Sequence, residues 1–68
     1  MFAVENIYTQ VVGDTTIMIY CEGDEWDVYY KKPMYPFLFA FGITEEMTLD
    51  DMFELAKANI DQYQDMFD

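Results

Sequence analysis

Partway along this chain the spacing of hydrophobic and polar positions changes, from the two-residue alternation of strands to the three-and-four spacing of a helix. Phe2 to Val12 (FAVENIYTQVV) is rich in branched and aromatic residues, Gly13-Asp14 interrupts it, and Thr15 to Cys21 (TTIMIYC) resumes it. Two such runs joined by a Gly-Asp step predict a hairpin. Glu22-Gly23-Asp24-Glu25 is a second turn signal. In the run that follows, Trp26 to Tyr30, Trp26, Val28 and Tyr30 share one face while Asp27 and Tyr29 share the other. Parallel strands would need crossovers of a dozen or more residues, which these connections lack, so the three strands are predicted to form an antiparallel meander. Lys31-Lys32-Pro33 ends the third strand.

Pro33 to Ile43 (PMYPFLFAFGI) is almost continuously apolar, and such a run fits a buried helical turn or a buried strand. A short helix at 36–41 is favoured, because Pro36 suits a first helical position and Gly42 suits the left-handed residue past the end, with Ile43 folding back on Leu38. A fourth strand, Phe37 to Phe41, is the alternative. Thr48 to Phe67 is predicted to be an amphipathic helix. Thr48 and Asp51 resemble a capping box with Asp in place of Glu, and Asp50 and Asp51 suit the positive end of the helix dipole. Leu49, Met52, Phe53, Ala56, Ile60, Tyr63 and Phe67 form one apolar stripe, and Asp50, Glu54, Asp61, Asp65 and Asp68 fall on the opposite side with Lys57. The predicted fold is α+β: a three-stranded antiparallel meander, with a fourth strand or short helix at 36–41, packed against one C-terminal helix. With no repeat or linker to divide it, the chain of 68 residues is one domain.

Composition turns attention to the surface. Fourteen acids against three lysines, with no arginine or histidine, give a net charge of -11, while 53% of residues are hydrophobic and 19% aromatic. Such a chain is too apolar to be a disordered acidic tail and too acidic to bind DNA, RNA or an anionic membrane directly. It exceeds the roughly 2 to 8 charges that serve solubility in a small domain, and eight of the acids lie in the last 25 residues. The alternative explanation of the acids is a solvated face that aids solubility. The single Cys21 excludes an internal disulfide, no 18-residue apolar run is present, and Met1 to Gln10 lacks the basic start of a signal peptide, so a cytoplasmic protein is expected.

Few residues here support chemistry. With no histidine or serine and with Cys21 at a strand end, neither a catalytic residue nor a cofactor is predicted, and a carboxylate pair working as in glycosidases would need a cleft that 68 residues rarely build. Glu22, Asp24, Glu25 and Asp27 crowd one turn, but EGDEWD does not follow a calcium-loop pattern, so no metal site is predicted. The acids suit a cationic partner instead. Along a helix, carboxylates four residues apart rise by about 6 Å, similar to neighbouring phosphates on a nucleic-acid strand. Asp50, Glu54, Asp61 and Asp65, extended by Glu45 and Glu46 and assisted by Glu22, Asp24, Glu25 and Asp27, are the candidate partner-binding residues. Tyr29, beside Asp27, is expected to complete an exposed contact patch on the sheet.

In its size, its acidity and its lack of catalytic residues, with EGDEWD at 22–27 and TEEMTLDDMFELAKANIDQYQDMFD at 44–68, the chain resembles the small acidic inhibitor proteins of bacteriophages and mobile elements. These include anti-CRISPR proteins, inhibitors of DNA-repair glycosylases and other DNA mimics. The resemblance implies a stoichiometric inhibitor that blocks the basic nucleic-acid groove of a host protein. A structural or adaptor module, dimeric through a strand edge or the PMYPFLFAFG segment, is the alternative function. A monomer is expected over a homodimer, because two chains of charge -11 repel when their acidic faces oppose.

Overall fold

A computed structural model describes residues 5–67; the Phe2–Val4 part of the first predicted strand and Asp68 of the predicted acidic face lie outside them. Four strands, β1 (Glu5–Val12), β2 (Thr15–Glu22), β3 (Glu25–Lys31) and β4 (Leu38–Ile43), are followed by helix α1 (Leu49–Tyr63) and a 3-10 turn (Gln64–Phe67). The strands form one antiparallel sheet in chain order, so the α+β meander-and-helix architecture is the one expected from the sequence. Both tight hairpins turn on a glycine, Gly13 at φ 63° and Gly23 at φ 61°. Each is the first central residue of a two-residue loop, where a left-handed glycine matches the twist of the flanking strands.

The segment favoured as a short helix is a strand. Val28 and Tyr30 are buried in β3, whose second edge would have been left unpaired beside a helix at 36–41, and β4 supplies its partners through Trp26–Ile43, Val28–Phe41 and Tyr30–Leu38. The register slips by one residue: Val28 faces Phe41 while Tyr29 faces Phe39, leaving Ala40 as a bulge. That extra residue resets the alternation. Leu38 packs against the core on one side of the bulge and Phe41 and Ile43 do so on the other, whereas Phe39 points outward and is 53% exposed.

The core lies between the sheet and α1. Ile17, Ile19, Val28 and Tyr30 from the sheet meet Met52, Phe53, Ala56 and Phe67, and full burial of each large side chain contributes about 1.5–3 kcal/mol. Tyr30 also reaches across the layer, its hydroxyl donating to the Ala56 carbonyl at 2.6 Å. Thr48 caps the helix as its sequence implies, accepting from the Asp51 N–H at 3.1 Å. The other end tightens into the 3-10 turn, which buries Phe67 under Lys32 at 5.6 Å and edge-on to Tyr35 at 5.7 Å. Lys32 also donates to the Gln64 side chain.

The helix leaves much of the sheet uncovered. Among the described side chains of β1 only Tyr8 packs against the core, its ring stacked 6.2 Å from Trp26, while Asn6, Gln10 and Val12 on the same face are exposed. The face opposite α1 carries Ile7, Thr9, Val11, Met18, Tyr20, Asp27, Tyr29 and Phe39, as the register and the two-residue alternation require.

Candidate functional site

The acids converge on one end of the molecule. The β2–β3 turn supplies Glu22, Asp24 and Glu25, the β4–α1 connection supplies Glu45 and Glu46, and the first turn of α1 supplies Asp50 and Asp51, all seven exposed. A half-open groove of about 290 Å³ joins the first two groups, lined by Asp24, Trp26, Ile43, Thr44, Glu45, Glu46, Met47 and Met52. Its floor is apolar and its rim anionic. Strand register brings Glu5 opposite Glu22, at this same end. The opposite end holds Lys31 and Lys32 together with Asp14 and Asp65, so the two ends of the sheet differ in charge.

From this end the acids continue along two faces. On α1, Asp50, Glu54 and Asp61 fall within roughly 40° of one another around the helix and span about 16 Å along it, with Asp65 beyond them in the 3-10 turn. All four are exposed. Glu54 is partly neutralised by Lys57, 3.6 Å away, an exposed i,i+3 pair of little energetic consequence. The second face belongs to the sheet. Glu22, Glu25 and Asp27 lie on the side away from α1, with the Tyr20 hydroxyl donating to Glu22 at 3.1 Å. The predicted residues therefore form two acidic faces that meet at Asp24 instead of one row.

The exposed patch expected at Asp27 and Tyr29 is corrected, for both residues are half-buried. The Tyr29 ring stands edge-on to Phe39 at 5.5 Å. Asp27 lies opposite Gly42, close enough that a β-carbon there would come within 3.5 Å of its carboxylate. The fourth strand, the less favoured alternative for residues 36–41, is what covers them.

No group of three or more thiol or carboxylate residues among those described could hold a metal ion. Cys21 is buried, its thiol directed to the Gly23 carbonyl at 3.5 Å. No described helix is long and apolar enough to cross a membrane.

A second surface lies on the PMYPFLFAFG segment, the alternative dimer contact, and its backbone conformation was not anticipated from the sequence. In the β3–β4 connection the Tyr35 N–H donates to the Lys32 carbonyl at 3.1 Å, and Met34, at the third position of that turn, has φ 71° and is 99% exposed. A left-handed residue there is normally glycine or asparagine. Exposed Tyr35 and Phe37 flank it. The prolines on either side were the available signal, since Pro33 suits the second position of the turn in which Met34 is left-handed.

Comparison with protein-family models, with curated proteins and with solved structures gave no match.

Proposed function

We propose that the protein is a non-catalytic, stoichiometric inhibitor that occupies a basic nucleic-acid-binding groove of a host protein, of the anti-defence kind that includes anti-CRISPR proteins. The observation that carries this reading is the acidic end, where seven exposed carboxylates on three segments gather, three of them (Asp24, Glu45 and Glu46) lining one groove, and the acids continue down α1 without a lysine until Lys57. A short framework holds most of them: the two-residue turn at Gly23 fixes the segment that bears Glu22, Asp24 and Glu25, and the Thr48 cap fixes the one that bears Asp50 and Asp51. Charges already fixed in place lose little side-chain and loop freedom on binding, and their summed field speeds encounter with a cationic groove. Charge is copied and bases are not, so the inhibitor acts by occlusion and reads no sequence.

The test is capture from host lysate on the immobilised protein at low salt, followed by competition. Retained proteins are expected to bind nucleic acid, to be displaced by duplex DNA, and to elute as salt approaches about 1 M, where the Debye length is about 3 Å. Reversing Glu45, Glu46 and Asp50 to Lys together is expected to abolish retention while the circular-dichroism spectrum is unchanged. Capture that resists salt, ignores DNA or survives the triple reversal overturns the reading.

A further inference from the structure

The two edges of the sheet differ. On β4 the bulge at Ala40 breaks the ladder, the Ala40 carbonyl accepts the Tyr63 hydroxyl at 3.4 Å, and Pro36 precedes the strand, all of which blunt an edge. The described residues of β1 carry no such protection. Eight residues pair with β2 without a register shift, and from Asn6 to Gly13 there is neither a charge nor a proline. This stretch is uncharged in a chain of net charge -11, and it lies along an open edge.

Its backbone has a defined outward set. The two-residue turn closes on the hydrogen-bonded pair Val12–Thr15, so Val12, Gln10, Tyr8 and Asn6 aim their N–H and C=O groups at β2. Ile7, Thr9 and Val11 aim theirs away from the sheet, and their side chains lie on the face opposite α1, where Ile7 is 59% and Val11 69% exposed. We propose that β1 pairs antiparallel with β1 of a second copy of this chain, about a two-fold axis at Thr9, to give a continuous eight-stranded sheet. Ile7 then lies opposite Val11, Thr9 opposite Thr9 and Val11 opposite Ile7. Every outward residue of the uncharged stretch gains a partner, and the exposed branched side chains become cross-strand neighbours.

The outward set selects a second copy as the occupant, because about Thr9 it is self-complementary, Ile7 against Val11 and Thr9 against Thr9, and charge permits the pairing. Repulsion disfavours a dimer whose acidic faces oppose, but an axis perpendicular to the sheet sends the two acidic ends to opposite extremes. Each acidic end then adjoins the less acidic end of its partner, where Asp14 and Asp65 accompany Lys31 and Lys32. Residues 6–12 contribute no acid to the groove-binding surface, so the dimer stands or falls independently of the proposed function.

Sedimentation equilibrium of the full chain tests the dimer. The mass is expected to double with rising protein concentration, and more readily at about 1 M salt than at about 0.01 M, where the Debye length is about 30 Å and repulsion between copies acts at full range. Capture of a basic protein has the opposite salt dependence, so the two ideas fail separately. Thr9→Pro deletes an outward N–H and leaves the β1–β2 ladder whole, and Val11→Lys sets a charge against the partner's Ile7 without touching the backbone. Each is expected to abolish the doubling. Amide exchange followed by NMR is expected to show protection of Ile7, Thr9 and Val11 that appears only with the dimer, and protection of Gln10 in both states. A monomer at every salt and attainable concentration, a dimer that survives both substitutions, or exchange at Ile7, Thr9 and Val11 that ignores the mass overturns the proposal.

Discussion

Tyr30 joins the two layers more directly than any other side chain described, because it is buried in the sheet and bonded to the backbone of the helix. Burial, with the neighbouring Tyr63 phenol adding to it, pushes its hydroxyl from 10.0 up to about 12. The folded state therefore keeps a proton that the unfolded chain releases near pH 10. Its contribution to stability is complete below that pH and is lost as pH rises through about 12. Urea titrations of the wild type and Tyr30→Phe are expected to differ by about 1 kcal/mol at neutral pH. The gap should close between pH 10 and 12, and a constant gap would show that the hydroxyl is not protected. Nothing in the sequence pointed to the Ala56 partner, although the inward face of β3 was plain, since Trp26, Val28 and Tyr30 alternate with polar or amphipathic residues. An alternating strand reveals which way a side chain points, and the atom it meets across the layer depends on packing that no local pattern encodes.

At the level of elements, β1 to β3 and α1 were legible because each repeats one period between identifiable stops: Gly13 and Gly23 for the hairpins, Thr48 for the helix. The β4 strand was not, for two physical reasons. Its residues are apolar on both faces, and the bulge at Ala40 breaks the alternation halfway, so that LFAFGI reads as neither period. Deleting Ala40 separates the bulge from the rest of the strand. The shortened run Leu-Phe-Phe-Gly-Ile alternates strictly and keeps Leu38, Phe41 and Ile43 inward, so the fold is expected to survive without the Tyr63 hydrogen bond to the bulge carbonyl. The straightened edge is expected to associate where the native one does not. Light scattering beside circular dichroism would detect it, and an unfolded deletion variant would mean that the bulge shapes the core instead of guarding the edge.

For the molecule as a whole, the acids to which the proposed function assigns a cationic partner also destabilise it, because like charges crowded at one end repel in the folded state and separate when the chain unfolds. The surplus and the helical stripe were visible in the sequence, but not the gathering of Glu22, Asp24 and Glu25 with Glu45 and Glu46, which lie far apart along the chain and meet only because β3 pairs with β4. If these residues serve binding and not folding, function and stability pull in opposite directions at the same positions. Replacing Glu45 and Glu46 with Gln is expected to raise the thermal midpoint at low salt, a gain of about 1 kcal/mol appearing as roughly 4–8 °C in a domain of this size. Salt should raise the wild-type midpoint by screening the same repulsion, and should narrow the difference between the two proteins. A double substitution that instead lowers the midpoint would show that these carboxylates hold the β4–α1 connection in place. Their number at this end would then be explained by folding, with no cationic partner required.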